Sequence, residues 1–300
     1  MKKSLVSLVL CSVILVGLTG LVGCEPTEPP TEPPKEKMSV ILLSGQSNME
    51  GNSWSIYLED DEHYDAYLDG FSDITMALRG EYQNATFLPV RLGRGGVSFS
   101  QFGPEIGMAR MLHDAGYGNK VCFIKYAVGG TNFYSKDREN WSSPADGEPG
   151  VLYTRFVTFV LEALEKLSKT YDVSLDAMCW MQGESDCFIP AADDYEYNLR
   201  NFVDYLRLEF SDYNEYFMFY DAYISQYWGN GRDYKDINQA KANLAAEDPY
   251  HKIIDTIAAG LTYNNEPIGN IDPAHYDALS EIKLGELFAA MYMADFPITK

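Results

Sequence analysis

Five short, predominantly apolar runs recur along the chain, separated by longer stretches whose apolar residues repeat every three or four positions. The runs are Val40 to Leu43, Val121 to Tyr126, Leu175 to Met181, Tyr216 to Tyr220 and Lys252 to Thr256. Apolar runs without polar alternation belong to strands buried on both faces. The stretches between and after them read as helices: Pro104 to Ala115, Tyr153 to Ser168, Tyr195 to Phe210, Ile237 to Ala246, and a last one from about Tyr276 to Ala294. In Tyr153 to Ser168, Phe156, Val157, Val160, Leu161, Leu164 and Leu167 share one helical face, and Glu162, Glu165 and Lys166 occupy the other. Such strands alternating with such helices predict a five-stranded parallel sheet covered on both sides, a three-layer α/β/α sandwich from Met38 to Lys300. A chain of 300 residues, 46% of them hydrophobic, can bury a core of that size. Gly51 to Ser100 fits this rhythm poorly. Its acidic run, Leu58 to Asp73, offers oxygen ligands but has no calcium-loop spacing, and is expected to be solvated surface.

The residues before Met38 are expected to lie outside that domain. Lys2 and Lys3 precede an uncharged apolar stretch from Leu5 to Leu21, the pattern of a secretory signal. It ends in Leu21-Val22-Gly23-Cys24, which resembles a bacterial lipobox. That resemblance implies removal of residues 1–23 and acylation of Cys24. An uncleaved anchor is the alternative, because the stretch is near the lower length limit for a span. Residues 24–37 then form a lipidated Cys24 and a Pro/Glu-rich linker, EPTEPPTEPPKEK. At about 3.1 Å per residue in an extended polyproline conformation, the linker reaches ~40 Å. The domain is thus expected outside the cytoplasm, tethered to a membrane. With Cys11 in the leader and Cys24 lipidated, Cys122, Cys179 and Cys187 remain, an odd number that excludes complete internal pairing. A bridge from Cys179 to either of the others stays open.

The formal charge of -21 argues against a nucleic-acid partner, which needs clustered Lys and Arg, and suits a neutral or weakly charged substrate. No His-Glu-x-x-His, no paired-cysteine pattern and no Gly-x-Gly-x-x-Gly after a strand is present, so neither metal nor organic cofactor is expected.

In open parallel sheets ligands bind beyond the carboxyl ends of the strands. Chemistry is written at those ends here. Gly45-Gln46-Ser47-Asn48 follows the first run and puts Ser47 on a tight strand-to-helix turn, where its Oγ is exposed and its own N–H can face an attacked carbonyl. Val128-Gly129-Gly130-Thr131 follows the second and can supply another backbone donor. Gln182-Gly183-Glu184-Ser185 follows the third, polar groups that are costly to bury without partners. Before the last helix, Asp272-Pro273-Ala274-His275 places His275 as a general base with Asp272 three residues earlier to orient it. His63, His113 and His251 have no Asp placed this way beside a helix start.

Five segments, GQSNMEG from Gly45, FGPEIGMAR from Phe102, KYAVGGTN from Lys125, WMQGESD from Trp180 and DPAHYDALSEIKLGELFA from Asp272, together resemble the SGNH (GDSL-like) hydrolase superfamily. More narrowly they are similar to its sialate O-acetylesterase-like group, which includes the acetyl xylan esterases of carbohydrate esterase family 6. The resemblance implies a flavodoxin-like sandwich and a cofactor-free serine esterase that removes acetyl groups from carbohydrate. It carries the nucleophile onto Ser47, the base onto His275 and the orienting acid onto Asp272. The oxyanion hole falls to the backbone N–H groups of Ser47 and Gly130 with the Gln182 side chain. The wider superfamily usually has asparagine where this group has Gln-Gly-Glu, so Glu184 is a second candidate for orienting His275. The substrate is expected to be acetylated xylan, a similar polysaccharide or O-acetylated sialic acid. The alternatives are another acyl ester, or a non-catalytic carbohydrate-binding lipoprotein, which would be expected to lack one of Ser47, His275 and Asp272. Phe133, Tyr134, Trp141, Tyr227 and Trp228 could stack on sugar rings in either case.

Overall fold

The computed structural model describes residues 33–80, 85–133, 139–188, 194–229 and 234–298. The expected leader, Cys24, most of the expected linker and Tyr134 lie outside the described residues. Seven strands make the main sheet: β1 (Lys37–Gly45), β2 (Phe71–Leu78), β3 (Phe87–Val90), β4 (Val121–Ala127), β5 (Asp172–Met181), β6 (Met218–Ala222) and β7 (His251–Ile254). Their order is β3-β2-β4-β1-β5-β6-β7. Every neighbouring pair is parallel except β2 and β3. Helices flank the sheet: α1 (Ser47–Glu50), α2 (Glu105–Asp114), α3 (Val151–Ser168), α4 (Tyr195–Glu209), α5 (Tyr234–Glu247) and α6 (Ala278–Asp295).

The α/β sandwich matches expectation, but the sheet has seven strands rather than five. The extra two come from the segment that broke the rhythm. In β2, FSDITMAL, exposed Ser72 and half-buried Asp73 and Thr75 interrupt the apolar run, so it is not the continuous stretch of a central strand. Antiparallel β3, FLPV, stands at the sheet edge, where Pro89 is tolerated because a missing N–H costs no ladder bond there. A search for continuous apolar runs overlooks strands whose runs are interrupted by polar residues or proline.

The central strands show the opposite pattern. All seven residues of β4 are buried, Lys125 included. Its ammonium is neutralised by Glu105 at 2.5 Å and also donates to the Gly95 carbonyl at 2.8 Å. β1 runs between β4 and β5, and its last residue, Gly45, pairs with Ala127 on one side and Met181 on the other. Three strand ends therefore open side by side. The chain order reverses across β1, and in doubly wound sheets that switch point is where a crevice forms.

On one flank, α2 and α6 approach through two glycines. A Cβ on Gly107 would lie 2.1 Å from the Ile282 carbonyl oxygen, and one on Gly285 would lie 2.0 Å from that of Pro104. Only hydrogen fits at either position. Cys122, Cys179 and Cys187 are all buried, and burial pushes the Cys122 and Cys179 thiols well above their ordinary pKa.

Candidate active site

The turn after β1 is possible because of Gly45. Its φ of 142° is open to glycine, and a Cβ there would sit 2.0 Å from the Met181 carbonyl oxygen, which accepts from the Gln46 N–H at 2.8 Å. Beyond it, Ser47 begins α1 and is partly exposed between buried Gln46 and Asn48. The Gly129 loop lies against it: a Cβ on Gly129 would be 3.4 Å from the Ser47 Cβ.

His275 Nδ1 lies 2.6 Å from Asp272 Oδ2. Asp272 Oδ1 also accepts from the Ala274 N–H at 3.0 Å, which fixes the carboxylate on its own loop. Glu184, the other candidate, is buried completely, and its Oε1 accepts from Asn48 Nδ2 at 2.8 Å. Burial raises its pKa above the ordinary carboxyl value. The carboxylate in contact with the imidazole is that of Asp272. A His–Asp contact is not distinctive by itself, because His113 meets Asp73 at 2.9 Å and His251 meets Asp221 at 3.3 Å. His113 and Asp73 sit away from the strand ends that carry Ser47, and the His251–Asp221 pair is sealed in the core.

Asn48 connects the two halves of the site. Besides Glu184, its Oδ1 accepts from the Tyr276 N–H at 3.1 Å and its Nδ2 reaches the Ala274 carbonyl at 3.5 Å. One amide next to Ser47 thus grips the backbone on both sides of His275. Glu50 acts on the other flank: its Oε2 accepts the Gly129 N–H at 2.7 Å, and Arg79 approaches its Oε1 at 3.5 Å. Of the two glycines, Gly129 is therefore committed to Glu50, while Gly130, with φ of 70°, is exposed on the turn.

Gln182 departs from expectation. It is completely buried, and its Nε2 donates to Asp186 Oδ2 at 2.5 Å, the Thr131 carbonyl at 3.1 Å and Gln46 Oε1 at 3.3 Å. Tyr195 donates to its Oε1 at 3.1 Å. With its amide spent on internal partners, Gln182 braces the strand ends from beneath instead of facing the substrate. Asp186, also buried, has its pKa raised to about 7 by desolvation. Gln46 Oε1 gathers the same loop, accepting from the Gly183 and Ser185 N–H groups at 3.4 and 3.2 Å.

Two of the aromatic candidates for sugar stacking are core residues. Phe133 and Trp141 are buried, and Trp141 packs edge-on against Trp180 at 5.3 Å. Tyr227 and Trp228 are half-buried and pack on each other. Gln46, Asn48 and Glu50 were missed as functional residues although they flank Ser47 in the sequence, since their partners lie between 29 and 228 positions away. No local spacing reports such contacts. Among the described residues, no group of three His, Cys, Asp or Glu side chains is arranged to hold a metal ion.

Residues 37–294 match the family described as carbohydrate esterase, sialic acid-specific acetylesterase. No curated protein matches the chain. Among solved structures, NanS is similar with a TM-score of 0.66 at 15% identity, covering 88% of this chain and 98% of its own. A protein from Arabidopsis thaliana has a TM-score of 0.61 at 20% identity, covering 88% and 100%. A carbohydrate acetylesterase from Xanthomonas citri has a TM-score of 0.55 at 15% identity, covering 85% of this chain and 55% of its own. At these identities the likeness is one of fold.

Proposed function

The chain belongs to the carbohydrate esterase family described as sialic acid-specific acetylesterases, and from that membership we propose that it is a serine esterase removing O-acetyl groups from carbohydrate. The observation that carries the reading is the 2.6 Å contact between His275 Nδ1 and Asp272, on a loop that Asn48 binds to the turn bearing Ser47. With Nδ1–H donating to Asp272, the lone pair of His275 lies on Nε2, the nitrogen able to take a proton from a serine. Ser47 Oγ attacks the acetyl carbonyl while His275 accepts its proton. The tetrahedral oxyanion is met by the backbone N–H groups of Ser47 and Gly130. Collapse passes the proton to the departing sugar oxygen and leaves acetyl-Ser47. Water, deprotonated by His275, then releases acetate and restores the serine. Acetylated xylan, a related polysaccharide and O-acetylated sialic acid are the substrate classes in view.

From the N-terminal sequence we also propose that the domain lies outside the cytoplasm, held to a membrane through lipid on Cys24 and the Pro/Glu-rich linker.

The test is acetate release from acetylated xylan and from O-acetylated sialic acid by the protein and by Ser47→Ala. Release by the parent and loss of turnover by about 10⁶-fold in the variant are expected. Equal release by both would remove Ser47 from the chemistry.

A further inference from the structure

Exposed large apolar side chains recur on segments that are hydrogen-bonded to the catalytic turn. Of the thirteen that are exposed among the described residues, six belong to loops tied to the catalytic turn: Trp54, Ile56, Val97, Phe99, Ile268 and Ile271. Phe99 is 89% exposed and Ile268 80%. Leaving such groups in water gains nothing for the fold, and a cluster of them marks a contact surface.

Backbone hydrogen bonds hold these loops around Ser47. The Ser47 carbonyl accepts from the Gly51 N–H at 2.9 Å and from Asn52 Nδ2 at 3.0 Å, and the Gly51 carbonyl accepts from the Val97 N–H at 2.9 Å. Trp54 pairs with Gln101 in a two-stranded ribbon, Ser53–Trp54 with Gln101–Phe102. Phe99 stands on the Ser98 to Gln101 turn, closed at 3.1 Å. On the other side, Ser53 Oγ donates to the carbonyl of Tyr276, the residue after His275, at 2.6 Å. Ile268 N–H donates to Tyr57 OH at 2.8 Å, and Ile271 immediately precedes Asp272. The apolar residues thus stand on segments tied to both the serine turn and the histidine loop.

We propose that Trp54, Val97 and Phe99, facing Ile268 and Ile271, form a platform that holds a neutral, O-acetylated polysaccharide chain across the catalytic turn. The inference rests on the esterase reading and deepens it by choosing the substrate class. Aromatic faces accept the C–H faces of sugar rings, and aliphatic side chains accept acetyl methyl groups. A single sialic acid carries a carboxylate, which none of these five side chains can pair, and the exposed acids Glu59, Asp60 and Glu62 follow Trp54 in sequence. The net charge of -21 disfavours an anionic ligand further. A chain of several uncharged rings can cover side chains spread over separate loops.

The experiment compares the full chain, a Trp54→Ala/Phe99→Ala double variant and Phe99→Ser on soluble acetylated xylan and on 4-nitrophenyl acetate. The ratio of kcat/KM for xylan to that for the small ester is expected to fall about tenfold in the double variant, ~1.4 kcal/mol, through KM. Phe99→Ser shifts it in the same direction. Leu208→Ala removes an apolar residue that is 68% exposed on α4 and leaves the ratio unchanged. Binding is read separately as retention of the Ser47→Ala protein on insoluble acetylated xylan, which is lost when Trp54 and Phe99 are truncated. An unchanged ratio with unchanged retention overturns the platform. Turnover of the small ester with neither retention nor xylan turnover also overturns it but leaves the esterase reading standing. Retention that depends on Trp54 and Phe99, without turnover of any ester, keeps the platform and removes the esterase reading.

Discussion

At the scale of single residues, the two acids near His275 have separable duties. Asp272 holds the imidazole directly, so Asp272→Asn should disturb its tautomer and lower kcat by about 10⁴-fold. Glu184→Gln keeps an oxygen able to accept from Asn48 and should cost far less. Steady-state kinetics on one acetyl ester compares the two variants, and the reverse ranking would make Glu184 the orienting acid. Asn48 touches no reacting atom in this scheme yet positions the residues that do. Asn48→Ala should lower kcat by about 10²-fold because the His275 loop loses its tether. It should also cost about 1–3 kcal/mol of stability by leaving Glu184 without its donor. Urea denaturation reads the second effect, and a variant with unchanged kcat would reduce Asn48 to a structural residue. The spacing of Asp272 and His275 made their contact visible in the sequence, since three residues of loop suffice to form it. The Asn48 bridge was not visible, since its partners are brought together only by the sheet.

At the scale of elements, legibility followed the continuity of the apolar run. β1, β4 and β5 are deeply buried over most of their length and were found as apolar runs, as were the helices with one apolar face. The β6 run was expected from Tyr216, but that residue is 54% exposed and the strand begins at Met218. Half-buried β2 and the edge strand β3 broke the pattern that identified the others. The α2–α6 contact shows the same limit from the other direction. Gly107 and Gly285 lower helix propensity where they stand, and only the facing helix explains them. Gly285→Ala should therefore destabilise the fold by about 1–3 kcal/mol despite alanine's better propensity, because the new methyl overpacks against the Pro104 carbonyl. A fall in thermal midpoint checks this, and a rise would mean that the helices separate at no cost.

At the scale of the whole molecule, the acidic domain and the proposed lipid anchor at Cys24 bear on where the enzyme meets its substrate. If Cys24 carries lipid, the full chain fractionates with membranes and incorporates a labelled fatty acid, and Cys24→Ser abolishes both. Membrane association that survives the substitution would favour an uncleaved anchor. From sequence alone came the α/β class, the strand ends at which chemistry collects, and Ser47, Asp272 and His275 as candidates. Those inferences rest on burial patterns and on spacings of a few residues, which a chain carries locally. Tertiary structure alone decided which carboxylate touches His275, that Gln182 is spent beneath the site, that Gly129 is held by Glu50, and that loops carrying exposed apolar residues are bonded to the Ser47 turn. The Asp272 contact is local, but its choice over Glu184 needs Glu184 to be placed against Asn48, and the other three depend on loops distant in sequence, so no segment of the chain carries them alone.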